Sequence, residues 1–286
     1  MNTQPARIAL LAFPAFWILL LHLGPMLAML RISFLESFPP LPGSAEVATL
    51  ANYTAFFAND VYIVPMLRTL VFSFSATLLL LVLTYPLAFF LAKGVRAERK
   101  LTYLMILFAP FWVGEIIRIF SITVTFGNRG AVNWVLLNLG ILERPLRMLY
   151  GYFSLSTGII HLSALYMLMP IYAAIEKIPD NLLEAGRDLG AGPVSRFFDI
   201  ILPLSREGVA TGCALVFLAN VGTYSVPALL GGPGTSMFSE TIGTFFHTAG
   251  SQWPVGSAFS VLLLTASLTI AALMMLVIQR RKGRAR

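Results

Sequence analysis

Residues 8–30 read IALLAFPAFWILLLHLGPMLAML, a run without a single Asp, Glu, Lys or Arg. An α-helix rises about 1.5 Å per residue and the hydrocarbon core of a bilayer is about 30 Å thick, so roughly 20 apolar residues cross it. The run meets that length. It is longer than the apolar core of a signal peptide, and no small-x-small cleavage site follows before Arg31, so it is expected to stay as a helix. Working outward, 69–92, 208–230 and 255–278 likewise hold no Asp, Glu, Lys or Arg, and neither does 148–175 apart from its flanks. A further run, 101–125 (LTYLMILFAPFWVGEIIRIFSITVT), is less pure because it holds Glu115 and Arg118. Hydrophobic residues make up 57% of the 286 and charged residues 12%, about half the charge of a soluble domain. The fold class expected is an all-α membrane protein, a single domain over 1–286 with six transmembrane helices at about 8–30, 66–92, 101–125, 150–175, 207–230 and 255–279.

The connections between these spans alternate in charge. Residues 1–7, 93–100, 176–206 and 280–286 carry fourteen of the 20 basic residues, among them Arg7, Lys93, Lys100, Arg196 and Arg280. The opposite set, 31–65, 126–149 and 231–254, holds Arg31, Arg129, Arg144 and Arg147. Lys and Arg near helix ends are retained on the cytoplasmic side, which predicts both termini and the 93–100 and 176–206 loops inside. The net charge of +7 is thereby a topology signal and not a nucleic-acid footprint. On the outward side, 38–44 is turn-forming, 52–62 predicts a short interfacial piece, and 231–254 leaves room for a short helix near 237–248. Trp253 suits the membrane interface. Cys213, the only cysteine, lies inside an apolar run and is expected as a small packing residue.

The one long segment on the basic side is IPDNLLEAGRDLGAGPVSRFFDIILPLSREG, residues 178–208. Pro179 is expected to stop the preceding helix, and Asn181 with Glu184 to form a capping box. Leu182, Leu183 and Leu189 form an apolar stripe beside the small residues Ala185, Gly186 and Gly190. Gly190 ends that helix, Gly192-Pro193 opens a second with Pro in its first turn, and Pro203 ends it. A short helix–turn–helix follows, with Glu184, Arg187, Asp188, Arg196 and Asp199 available to an aqueous partner.

Glu184-Ala185-Gly186, three residues, Gly190, nine residues, Ile200, one residue, Leu202-Pro203 resembles the EAA loop of ABC importer permeases, Glu-Ala-Ala-x3-Gly-x9-Ile-x-Leu-Pro. Only the second Ala departs, being Gly186. An ordinary amphipathic loop helix needs no such Gly-x9-Ile-x-Leu-Pro arrangement. The resemblance implies the transmembrane domain of a type I importer, whose coupling helix sits in a groove of the ATP-binding subunit. Here Glu184, Ala185, Gly186, Arg187, Asp188, Gly190, Ile200, Leu202 and Pro203 are the expected ATPase-coupling residues. Ala109-Pro110-Phe111-Trp112 with Arg118, Gly130-Ala131-Val132-Asn133, Tyr224 to Pro233 and Trp253 to Ala258 resemble the spermidine/putrescine permeases. Relatives for ferric iron, aminoethylphosphonate or opine-like solutes share part of these motifs. The implied partners are an ABC ATPase dimer, a second homologous permease, a periplasmic solute-binding protein and the lipid bilayer of the bacterial inner membrane, with no nucleic acid. No catalytic residue, metal or cofactor is expected on this chain, ATP and Mg belonging to the ATPase. Gly231-Gly232-Pro233-Gly234-Thr235-Ser236 lacks the Lys of a phosphate-binding loop, and His22, His161 and His247 are scattered.

Charges inside a bilayer mark a pathway or a paired structural site. Glu115 and Arg118, at i and i+3, are placed to pair, or Glu115 offers its carboxylate to a passing ammonium. Trp112 and Tyr224 supply aromatic faces for a cation, and Glu240 a carboxylate in the outward loop; these five are the candidate substrate-pathway residues. Arg68 is expected to snorkel, and Gly208, Gly212 and Gly222 to allow close helix approach. A membrane enzyme or scaffold is the alternative class, but no convergent Ser/His, paired-Asp or metal-ligand set stands on the spans. Six spans without an internal repeat fit a secondary transporter poorly.

Overall fold

A computed structural model describes residues 12–40, 46–247 and 252–279. The basic residues expected at the two ends, Arg7 and those from Arg280 onward, lie outside the described residues, as do 8–11 of the first span, 41–44 of the outer turn and 248 of the outer helix. Among the described residues the chain is helical, with one isolated bridge between Leu35 and Ala48. In chain order the helices are α1 Ala12–Ile32, α2 Ala51–Phe57, α3 Asp60–Phe89 continued by a π-turn to Gly94, α4 Ala97–Phe108 continued by a tight turn to Trp112, α5 Glu115–Phe126, α6 Ala131–Asn138, α7 Tyr152–Glu176, α8 Asp180–Asp188, α9 Pro193–Leu204, α10 Arg206–Gly222, α11 Ser225–Leu230, α12 Phe238–His247 and α13 Trp253–Gln279.

Four of these, α1, α3, α7 and α13, are long and apolar enough to cross a membrane unbroken. The other two expected spans are interrupted. The run 101–125 breaks at Val113-Gly114, where both residues are extended, and its two halves are bent by 87°. Pro110 supplies one cause, since it lacks an N–H and its ring opposes the preceding turn; Gly114 supplies the other by its low helix propensity. The run 207–230 is likewise split, because α10 stops at Gly222 and Thr223 is extended before α11 begins. At its other end α10 meets α9 at a 65° bend. The interfacial piece and the outer helix take form as α2 and α12.

The chain divides into two compact units, one of residues 1–66 and 241–265, the other of 67–240 and 266–286. In the first, Phe56, Tyr62, Phe245 and Phe259 meet ring to ring with centroids 4.8–6.1 Å apart. Asn52, buried, donates to the carbonyls of Ser33 and Leu35 and holds the entry to α2. No residue of α1 is buried.

In the second unit the core sits between α3, α7 and α10, around Leu80, Ala88, Leu168, Ile171, Val209 and Val216. Small residues set the α7–α10 spacing. A Cβ on Gly208 would lie 2.3 Å from the Pro170 carbonyl oxygen, and one on Gly212 would lie 3.1 Å from that of Met167. Gly222, by contrast, has open space around it, so its smallness serves no helix contact. Cys213 is buried in this core as expected. Polar side chains bridge the helices: Ser163 Oγ donates to Asn220 Oδ1 (2.7 Å), Ser154 Oγ to the Leu230 carbonyl (2.7 Å), and Tyr85 and Ser205 share a 2.7 Å hydroxyl contact at the α9–α10 bend. Arg68 does not snorkel freely; Nη1 donates to the Gly234 carbonyl at 3.2 Å.

Candidate functional site

The 178–206 loop folds into α8 and α9. Pro179 is extended, which ends α7, and α8 starts at once with Asp180. Asn181 therefore stands inside the helix, and no side-chain cap forms where the Asn181/Glu184 box was expected. The reason is positional: Pro179 takes the cap position, so Asn181 is already the second helical residue. The C-terminal end follows expectation. Gly190 has φ +83°, its N–H bonds the Arg187 carbonyl, and the Ala191 N–H bonds the Gly186 carbonyl. This 6→1 and 5→2 pair closes a Schellman motif, which needs a residue free to adopt the left-handed conformation. Gly192 then caps α9 with Pro193 in its first turn.

Pro203 does not end α9. A π-turn spans Phe197–Ile201, and the helix ends at Leu204, one residue past Pro203. Of the three-leucine stripe only Leu183 joins the core, while Leu182 is 44% and Leu189 88% exposed; Leu189 lies past the last helical turn. Gly186 is the buried point of α8, and a Cβ there would come 2.8 Å from Ile200 Cδ1 and 3.5 Å from Arg196 Cγ. The structure thus brings Gly186, Arg196 and Ile200 together. Glu184, Ala185, Arg187, Asp188 and Leu189 all face outward, and so do Val194 and Phe198 of α9. The exposed residues of the loop mix apolar groups with both signs of charge.

Two lysines from the 93–100 connection, read from the sequence only as topology signals, grip the α7–α8 junction. Lys93 Nζ donates to the Ile178 carbonyl (2.6 Å) and to Asp180 Oδ1 (2.7 Å). Lys100 Nζ donates to the Ala92 carbonyl (2.6 Å) and to both Glu176 oxygens (2.8 and 2.9 Å). The Lys93 ammonium, by its hydrogen bond first and its charge second, holds the Asp180 carboxyl below its ordinary value. Acidic residues within one turn of Pro179 and a basic loop two spans earlier were the available signal; pairing them needs the tertiary structure.

The in-span residues gather at the two helix breaks. Trp112 is 90% exposed at the α4 end, and Glu115, exposed, opens α5. Among the described residues no ion pair joins Glu115 to Arg118, because Arg118 turns back and places its guanidinium 4.4 Å from the centre of the Phe111 ring. Both line a cavity of about 160 Å³ that also meets Ser163, Tyr166, Asn220 and Thr223. Ser163 and Asn220 escaped the sequence reading because, uncharged, they do not interrupt an apolar run. Tyr224, half exposed, precedes α11. Glu240 is engaged locally: Oε2 accepts from the Met237 N–H at 2.7 Å and caps α12.

This arrangement, broken spans and a structured loop of EAA spacing, matches known proteins along its whole length. The family model described as "binding-protein-dependent transport system inner membrane component" covers residues 6–284. The chain belongs to that family. The permease is 36% identical over 249 residues to the spermidine/putrescine transport system permease protein PotB of Haemophilus influenzae, covering 86% of this chain and 84% of that one. It is 35% identical over 272 residues to PotB of Escherichia coli, covering 94% of each. Among solved structures it is similar to a bacterial ABC transporter involved in the import of the acidic polysaccharide alginate, with TM-score 0.69, 18% identity and coverage of 96% and 95%; that likeness establishes the fold. The permease is an inner-membrane transport subunit of the ABC importer class, and the all-α expectation holds.

Proposed function

We propose that this permease forms half of the translocation pathway for a polyamine such as putrescine or spermidine. The observation that carries the reading is the 35–36% identity to the PotB permeases over most of both chains. Its partners would be a second, homologous permease, a dimer of ATPase subunits holding ATP and Mg, and a periplasmic solute-binding protein. In support of the last, a solved structure similar in fold (19% identity, TM-score 0.69) is of the alginate transporter in complex with its periplasmic protein. The charge asymmetry of the loops supports both termini and the 178–206 loop on the cytoplasmic side.

In this reading the outward face of α8 and α9 docks on the ATPase. Leu182, Leu189, Val194 and Phe198 supply apolar contact, and Glu184, Arg187 and Asp188 supply register. Closure of the ATPase dimer on ATP then pushes α8, and the lysine grips carry the displacement into α7 and α3. Trp112, Glu115 and Tyr224 are proposed as contacts for the passing cation, one carboxylate and two aromatic faces. Arg118 is placed in the same pathway, while Glu240 acts there through the helix it caps.

The test is uptake of radiolabelled putrescine and spermidine by proteoliposomes containing the complete transporter, with binding-protein-stimulated ATPase read in parallel. Glu184→Lys and Gly190→Asp are expected to abolish both while the protein remains inserted. Normal uptake in either variant removes the coupling assignment. Absence of polyamine uptake in a wild-type complex with active ATPase removes the substrate assignment.

A further inference from the structure

Lys100 stands on α4, unlike Lys93, which ends the α3 extension, and its three N–H groups are all taken. Nζ donates to the Ala92 carbonyl at 2.6 Å and to the two Glu176 oxygens at 2.8 and 2.9 Å, and an ammonium has three hydrogens to give. The Lys100 side chain is 21% exposed, so the pair is more sheltered than the open surface ion pairs that contribute little.

Lys100 heads a stripe on α4. Leu104, Leu107 and Phe111 follow it at i+4, i+7 and i+11, on one helical face. All three pack against the core that includes Leu168, Ile171 and Ile175 of α7. The Phe111 ring also meets that of Tyr166 on α7, with centroids 6.2 Å apart. The two end contacts, Lys100 to Glu176 and Phe111 to Tyr166, are separated by about 16 Å along α4 and about 15 Å along α7 at the helical rise. The helices therefore lie antiparallel, joined at both ends, and α4 follows α7 when α7 moves.

Glu176 is the last residue of α7, and α8 opens at Asp180, so a push on α8 reaches Glu176 first. At the far end of α4 the helix stops. Val113 and Gly114 are extended, the chain turns by 87°, and α5 starts with Glu115. A Cβ on Gly114 would meet nothing within 4 Å, and among the described residues its N–H makes no backbone hydrogen bond. Such a joint is able to absorb a backbone rotation, whereas packed side chains and ion pairs carry a displacement.

We infer that Lys100 and Glu176 are positioning residues for transport: they fasten α4 to the α7–α8 junction, so that displacement of α8 turns α4 about Gly114 and shifts Trp112 relative to Glu115. The inference rests on the coupling reading of α8, and it does not depend on which solute is carried.

The experiment is a distance measurement between nitroxides at Leu101→Cys on α4 and Val124→Cys on α5, both exposed positions, in a Cys213→Ala background. The assembled transporter in nanodiscs is measured without nucleotide and after trapping with ATP and vanadate. The distance is expected to shift on trapping. Lys100→Met should abolish the shift while the complex still hydrolyses ATP, and Lys100→Arg, whose guanidinium binds a carboxylate through two N–H groups, should restore it. Where Lys100→Met fails to assemble, Glu176→Ala, which leaves Lys100 on the Ala92 carbonyl, is judged in the same way. Gly114→Pro fits the backbone already present, φ −55° after an extended Val113. It should keep the nucleotide-free distance and lose the shift.

No shift in the wild type overturns the inference, and so does a shift that persists in Lys100→Met or in Gly114→Pro. Loss of ATP hydrolysis together with the shift in Lys100→Met also overturns it, since the pair would then serve only to build the fold. A shift that survives Glu184→Lys removes the coupling reading of α8. A shift lost in Glu184→Lys but kept in Lys100→Met removes this inference alone. Polyamine uptake is not read, so the substrate assignment stands or falls separately.

Discussion

Lys93 Nζ lies 2.7 Å from Asp180 Oδ1 and 2.6 Å from the Ile178 carbonyl, joining the end of the α3 extension to the first turn of α8. Lys93 is only 11% exposed and Asp180 75%, so the pair is sheltered on one side and screened on the other. The bond to the carbonyl is the less replaceable part, because it satisfies a backbone oxygen just past the end of α7. Lys93→Met should therefore lower stability by about 1–2 kcal/mol, read as a fall in the unfolding midpoint. The swap Lys93→Asp with Asp180→Lys should restore only part, since aspartate cannot donate to Ile178. Full recovery in the swap would show that the charge pair alone matters.

The pH dependence of this contact follows from the direction of the Asp180 shift. The carboxyl is held below its ordinary value of 3.8 by Lys93. A depressed acid contributes stability above its unfolded-state value and loses it as pH falls through the folded one. The midpoint difference between wild type and Asp180→Asn should then stay constant from about pH 8 to pH 5 and shrink only below about pH 4. A difference gone by pH 6 would contradict the assignment.

The glycines of α10 separate cleanly by environment. At Gly208 a Cβ would meet the Pro170 carbonyl oxygen at 2.3 Å and Ala174 Cβ at 2.5 Å, both parts of rigid helix. Gly208→Ala should cost about 1–3 kcal/mol by overpacking. Gly222→Ala meets nothing within 4 Å and should leave the midpoint of the purified protein unchanged. Equal effects of the two would refute the packing argument.

Gly186→Ala would place its Cβ against Ile200 Cδ1, the free end of a flexible side chain. A small rotation relieves that contact, and alanine regains about 1 kcal/mol of helix propensity. Uptake is expected to change little, and stability to rise by up to about 1 kcal/mol. Gly186→Leu, which needs several atoms of space beside Arg196 and Ile200, should uncouple ATPase activity from uptake.

Much of this architecture is legible in the amino-acid sequence because its causes are local. Run length makes the helices of residues 12–32, 60–94, 152–176 and 253–279, and the Gly190 and Gly192-Pro193 signals mark where α8 ends and α9 begins, since both depend on a residue's own backbone freedom. The EAA spacing carries the family. Other features depend on partners far along the chain. The span 101–125 looks continuous from its hydropathy, yet Pro110 and Gly114 break it, because a break is tolerated only where other helices shelter the freed backbone. The capping box at Asn181 fails because the helix starts one residue earlier, at Asp180 with Pro179 in the cap position, and the Lys93 contact to Asp180 comes from 87 positions before it. Glu115 and Arg118 have the spacing of a pair, but spacing does not say that Arg118 turns to the Phe111 ring instead. Asn220 and Ser163 are invisible in hydropathy, and only the packing of α7 on α10 turns them into the floor of a polar cavity. Helix content was decided by run length and local propensity, and the family by motif spacing; the breaks, grips and cavity were decided by which distant side chains compete for the same charge and the same space.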